Sequence, residues 1–192
     1  MRGREYVKKF DKIINMVYKC ISVLPQKFKL KIFNKIRNVK GKYGLLLRYL
    51  YFKSISLKCG ENVFIGENVW LFSPDKIECG KNVSIHPMCY IDATGFIEIG
   101  DDVSIAHGVT ILSTTHKFVD VNVNIKDQRI EEKKTIIENN VWIGAKATIL
   151  SGIRVGRGSI IGANSVGTHN VPENSVVGGC SCKSYKKTLV GF

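Results

Sequence analysis

Acidic residues are almost missing from the first third of the chain. Residues 1–58 hold 16 Lys and Arg against only Glu5 and Asp11, a net charge of +14. The remaining residues are nearly neutral, with 13 bases and 14 acids. The basic character of this 192-residue chain is therefore local, which suggests an arm for an anionic partner. Long apolar runs are also missing, so no bilayer-spanning helix is expected. No charged-then-apolar leader precedes a small-residue cleavage site, and a cytoplasmic location is the expectation. The six cysteines, Cys20, Cys59, Cys79, Cys89, Cys180 and Cys182, form no paired CxxC set. That spacing argues against a zinc site and favours free thiols packed as small apolar groups. Proline is rare (4) while glycine is common (18), which suits a chain that turns often without being disordered.

What is present divides into two regions. In residues 1–56, Phe10, Ile13, Ile14, Val17, Ile21 and Leu24 recur at helical spacing with lysines between them. Pro25 interrupts, and Phe28, Ile32, Phe33 and Ile36 form a second pattern. Gly41 and Gly44 precede a third apolar stretch from Leu45 to Phe52. Two or three short amphipathic helices are expected. Their apolar faces either cap the following domain, with the lysines solvated, or lie on an anionic membrane surface. Nucleic acid is a weaker option, because no known binding motif follows the basic arm.

From residue 57 the chain repeats itself. Cys59-Gly-Glu-Asn-Val63, Cys79-Gly-Lys-Asn-Val83 and Ile99-Gly-Asp-Asp-Val103 are near copies spaced by 20. Within them apolar anchors fall every sixth residue: Cys59, Ile65, Leu71, then Cys79, Ile85, Ile91, then Ile99, Ile105, Ile111. The run resumes at Ile137 with Ile143, Ile149, Val155 and Ile161. Four residues after most anchors stands a small or β-branched residue, as at Val63, Val83, Val103, Val141 and Ser159. A period of six fits neither a helix nor an alternating strand. It fits short straight sides joined by tight corners, where Gly, Asn and Asp tolerate positive φ. A triangular coil with three such sides meets the requirement, and successive coils would pair as parallel strands.

These tandem units resemble the hexapeptide-repeat acyltransferases. The resemblance covers roughly residues 57–185 and is strongest in Val141-Trp-Ile-Gly144, Ile161-Gly-Ala-Asn-Ser165 and Thr114-Thr-His116. It implies a mainly β fold: a left-handed parallel β-helix preceded by a short basic α-helical segment. Residues 117–136 are expected to leave the coil as a loop, and 186–192 to form a tail. The resemblance is nearest to the sugar O-acetyltransferases, including those that modify O-antigen and capsule polysaccharides. It implies a homotrimer, acetyl-CoA as co-substrate, a sugar or glycan acceptor, and neither a metal nor nucleic acid.

By the same resemblance His116 matches the catalytic histidine, held by the last regular side of a coil at the root of the loop. There a neutral imidazole can take a proton from a sugar hydroxyl attacking a thioester. Gly144, Ala145, Gly162 and Ala163 read as a wall of small residues for the thin pantetheine arm, with Trp142 as a flat surface near it or as plain packing. Ala145, Ala163, Thr168 and Lys183 match positions that contact CoA. His169 stands where relatives usually carry Lys, and is expected to act as a hydrogen-bond partner. "VPENSVVGGCSCK" resembles the usual ending of the family, with Gly179-Cys-Ser-Cys182 replacing an Asn-Pro-Ala stretch. His86 replaces an acceptor-contacting Asn, and its structural and acceptor-binding readings stand level. Asp92 either contacts acceptor, orients a base, or serves a corner. His107 is expected on a solvent or interface face.

Three other readings remain in play: N-acetylation of an amino-sugar nucleotide, a non-catalytic scaffold at the membrane, and a zinc hydratase of γ-carbonic anhydrase type. The last needs three converging histidines, and the four here lack the close pair such a site would use. Serine O-acetylation is less favoured, because the long helical N-terminal domain of that family is missing.

Overall fold

The structure, a computed structural model, describes the backbone of residues 11–179 and 183–187 and the side chains of residues 16–179. Among the described residues three helices come first: α1 (Asp11–Ser22), α2 (Gln26–Ile36) and α3 (Gly41–Ile55). Pro25 caps the start of α2, a position where its missing N–H is not needed. Helices α1 and α2 both pack on α3, and α3 packs on the first coil that follows. Ile21, Phe33, Leu50, Tyr51, Phe52 and Ile55 are buried between them.

From Lys58 onward the chain winds into a three-sided parallel β-helix of about six turns. The first side is built from residues 58–59, 77–79, 97–99, 135–137 and 154–155. The second stacks 64–65, 84–85, 104–105, 142–143, 160–161 and 175–178, and the third 70–72, 90–92, 110–112, 148–149 and 166–167. The expected six-residue anchors lie in register down each side. Ile85, Ile105, Ile143 and Ile161 pair in succession and are fully buried. Each buried Ile contributes about 1.5–3 kcal/mol through the apolar area it removes from water. The residues four places on fill the corners: Val63, Val83, Cys89, Val103, Val141, Ala147, Ser159 and Ser165 are all buried. The two serines there are satisfied, with Ser159 donating to the Pro172 carbonyl and Ser165 accepting from the Gly179 amide.

Polar stacking reinforces the corners between the first and second sides. Asn62, Asn82 and Asp102 all have φ near +57°, and their side chains form a ladder of 2.8 and 2.9 Å hydrogen bonds. The thiols of Cys59 and Cys89 are pushed up to about 12 and about 11 by burial, and burial pushes Cys79 up as well. These groups are inert packing thiols, and the described cysteines are free. Cys180 and Cys182 lie outside the described residues.

The helices close the open top of the prism. The Asn68 amide donates to the Arg37 carbonyl, where equivalent corner amides lower down donate to the coil above. Arg48, buried on α3, donates from Nε to the Ile65 carbonyl at 2.9 Å and from Nη1 to the Val39 carbonyl. At the other end the strand 183–187 runs antiparallel along 175–178.

The insertion differs from its expected limits. The chain leaves the prism just after the strand 110–112 and rejoins it at Thr135, rather than spanning 117–136. It leaves as an antiparallel hairpin, 114–116 against 130–132. Thr135 replaces an apolar anchor at full burial, because its hydroxyl donates to the Leu112 carbonyl and accepts from the Gly152 amide. It thereby ties the re-entry point to the exit point.

Candidate active site

Sequence spacing distributes most of the candidate residues over two of the three long edges of the prism. The edge between the third and first sides carries the insertion. His116 ends the outgoing hairpin strand opposite Ile130, so it stands outside the coil, not on its last regular side. The reason is local: Ser113 turns the chain outward, its buried hydroxyl donating to the Asp92 carbonyl and accepting from the Gly95 amide. Thr114 then donates to Asp92 Oδ2 at 2.8 Å. The His116 ring is exposed and has no hydrogen-bond partner among the described residues.

Asp92 thus serves a corner and anchors the hairpin. Its Oδ1 accepts from both the Thr94 amide and the Thr94 hydroxyl. Burial pushes the carboxyl up, but the bonds from Thr94 and Thr114 outweigh it and hold the group below the usual carboxylate range. The hairpin base is braced further by Lys76, which donates to the Thr94 carbonyl and pairs with Glu132 at 3.4 Å. Sequence reading singled out His116 and Asp92 but missed Thr114 as the link between them. The signal was there in the adjacency of Thr114 to Thr115-His116, yet only the fold brings residue 92 beside it.

Two coils below on the same edge lie Thr168 and His169, joined by a 2.9 Å hydrogen bond between Thr168 Oγ1 and His169 Nδ1. Most of the remaining candidates occupy the edge between the second and third sides. His86, Ala106, Gly144 and Gly162 fall at equivalent places in successive coils, each amide donating to the coil below. His107, Ala145 and Ala163 form the adjoining column. Gly144 has a packing reason to be small: a Cβ there would meet the Ala163 amide nitrogen at 2.6 Å. Ala145 is half-buried and Ala163 exposed, so this column presents backbone and methyl groups to solvent. His86 is exposed and leans on Phe64, with 5.5 Å between ring centroids.

Trp142 stands apart from this wall. It projects from the second side between Ser104 and Ile160, at the opposite end of its strand from Ala145, and borders a shallow hollow that includes Asp102, Asn140 and Gly158. Lys183 pairs through its backbone with Gly178, and its side chain lies outside the described residues. Within one chain, therefore, His116 and the small-residue wall sit on different edges, separated by the third side. No group of three or more His, Cys, Asp or Glu able to hold a metal ion occurs among the described residues.

Comparison with known proteins agrees with the repeats and the fold. A model of the bacterial transferase hexapeptide (six repeats) matches residues 134–166. The galactoside O-acetyltransferase of Lactococcus lactis subsp. lactis (strain IL1403) is 39% identical over 80 residues, 41% of this chain and 37% of that protein. A putative lipopolysaccharide biosynthesis O-acetyl transferase, WbbJ, of Escherichia coli (strain K12) is 40% identical over 58 residues, 30% of each chain. A 2,3,4,5-tetrahydropyridine-2,6-dicarboxylate N-acetyltransferase of Staphylococcus aureus (strain Newman) is 51% identical over 51 residues, 27% of this chain and 21% of that protein. The matched stretches thus span between 21% and 37% of the length of these relatives. The fold likeness is far more extensive. A galactoside acetyltransferase solved in complex with coenzyme A superposes with a TM-score of 0.74 at 25% identity, over 85% of this chain and 82% of that one. In its repeats and its parallel β-helix the chain is similar to the hexapeptide-repeat transferases, the family model matching residues 134–166 and a galactoside acetyltransferase sharing the fold.

Proposed function

We propose that the protein is an acetyl-CoA-dependent O-acetyltransferase that esterifies a sugar hydroxyl of a surface polysaccharide or of its precursor. One observation carries the reading. His116 and the wall formed by Gly144, Ala145 and Ala163 lie on two edges of the same prism, in a fold shared with a galactoside acetyltransferase that binds coenzyme A. A cyclic trimer of parallel prisms apposes unlike edges of neighbours, as heterologous interfaces do. His116 of one protomer then faces the small-residue wall of the next. The residues fit this use. The wall offers backbone groups without bulky side chains to a thin amide-bearing chain, and His116 is accessible to a hydroxyl.

Acetyl-CoA supplies an activated acyl group as a thioester. His116 accepts the proton of the acceptor hydroxyl as its oxygen bonds to the acyl carbon, and returns that proton to the departing thiolate. The charge balances without a covalent intermediate on the protein. Asp92, through Thr114, fixes the strand that bears His116. His86 lines the wall's own edge and is placed to meet the acceptor. The reaction is assigned to the cytoplasm, where acetyl-CoA is made.

His116→Ala tests this. Transfer of acetyl from acetyl-CoA to a sugar acceptor should fall by about 10²–10⁴-fold, with coenzyme A affinity unchanged. Undiminished transfer would refute the assignment. A second reading is N-acetylation of an amino-sugar nucleotide; a relative that is an N-acetyltransferase supports amide formation as a chemistry, though its own substrate is a dicarboxylate. Alkaline hydroxylamine separates the two, since it releases acetyl from esters and leaves amides intact.

A further inference from the structure

We propose that the helical cap is also a docking surface for an anionic lipid bilayer. This stands on the cap alone and is independent of the acyl-transfer reading. The cap has an inner face fully used by folding: Ile21, Phe33, Leu50, Phe52 and Ile55 close its core, and Arg48 fastens it to the first coil. Its outer face has no such use. Lys27, Phe28, Lys31 and Lys35 are exposed along one side of α2, spaced at i, i+1, i+4 and i+8. Met16, Lys19 and Val23 are exposed on and just after α1.

Two features of that face do nothing for the fold. The first is charge. From Lys12 to Gly60 there is no Asp or Glu, and every ion pair among the described residues lies at Lys76 or beyond. Lysines at i and i+4 on α2 repel, so within the chain they weaken the helix they stand on. The second is apolar exposure. Phe28, between Lys27 and Lys29, is 60% exposed, Met16 61% and Val23 82%. The contrast with Lys29 is informative, since it turns inward and donates to the Ser54 carbonyl. The outward lysines are thus those that have no structural task.

Charge alone would suit any polyanion. Phe28 among the lysines of α2, with Met16 and Val23 exposed on and just after α1, suits an interface whose outer layer is anionic and whose interior is hydrocarbon. A nucleic-acid backbone offers no place to bury Phe28 and Val23. The mode is surface-lying, since no described helix is long and apolar enough to cross a membrane. Each lysine near an anionic surface improves partitioning about fivefold at moderate salt.

The test is sedimentation of the full chain with sucrose-loaded vesicles of phosphatidylcholine, with or without about one-third phosphatidylglycerol. Partitioning at least tenfold stronger onto the anionic vesicles is expected. K27E/K31E/K35E should lower it tenfold or more, and Phe28→Ser severalfold, with thermal unfolding little changed because these side chains are exposed. Equal partitioning onto neutral and anionic vesicles would overturn the proposal. So would undiminished binding by the triple variant. Retention of a duplex oligonucleotide in preference to vesicles, insensitive to Phe28→Ser, would assign the face to nucleic acid instead and equally overturn it.

Discussion

Arg48→Met asks whether the helical segment is a structural lid on the β-helix. Arg48 is 3% exposed and reaches from α3 to two carbonyls, those of Ile65 in the first coil and Val39 in the α2–α3 connection. Burial pushes its pKa down and the nearby Glu67 partly restores it. Methionine keeps much of the stem and removes both donors. A buried carbonyl left without a partner costs about 1–3 kcal/mol. Val39 is exposed, so water replaces part of the second bond, and the sum is about 2–4 kcal/mol. For a chain of this size that lowers Tm by about 5–15 °C. Urea denaturation followed by circular dichroism, at fixed protein concentration, measures it, with Lys42→Met as the exposed control. A loss below about 0.5 kcal/mol would refute the argument that α3 terminates the first coil through this side chain.

Three further outcomes follow from the same structure. Ile105→Ala removes a fully buried anchor between Ile85 and Ile143 and should cost about 2–5 kcal/mol in a urea titration. Gly144→Ala places a Cβ 2.6 Å from the Ala163 amide and forces two coils apart, for about 1–3 kcal/mol by the same titration. The Asp92 carboxyl sits low in the folded protein, so its contribution is complete above the ordinary carboxylate range and fades as pH falls through the lowered folded value. The stability gap between the wild type and Asp92→Asn should accordingly shrink in acid, as thermal melts between pH 6 and pH 3 will show.

The coil was legible because its constraint is strict: within each coil a buried anchor recurs every sixth residue, because the prism has to be filled. The insertion was legible in outline because anchors cease. Its limits were not, because Ser113 and Thr135 satisfy themselves through hydroxyl bonds to Asp92, Gly95, Leu112 and Gly152, distant in sequence. The corner at Gly95-Phe96 shows a similar limit. Glycine invites a positive φ, yet it is Phe96 that has φ +82°. A Cβ on Gly95 would meet the Ser113 carbonyl at 2.2 Å, so glycine is needed there for close approach and its neighbour takes the left-handed turn. Among site residues, His116 was found by resemblance to a motif. That it and the small-residue wall occupy separate edges follows from counting coils, which requires knowing where the insertion rejoins.

Among the described residues, each end of this prism carries a stopper. Arg48 and the Arg37 carbonyl occupy the uppermost rung, and the antiparallel strand 183–187 lies along the lowest stretch of the second side. A column of parallel strands with bare ends would be a seed for adding further chains end to end, since each new rung finds hydrogen-bonding groups waiting. Here the growth direction is blocked by unlike stoppers, one helical and one a reversed strand. Such stoppers disfavour end-to-end growth relative to sideways association.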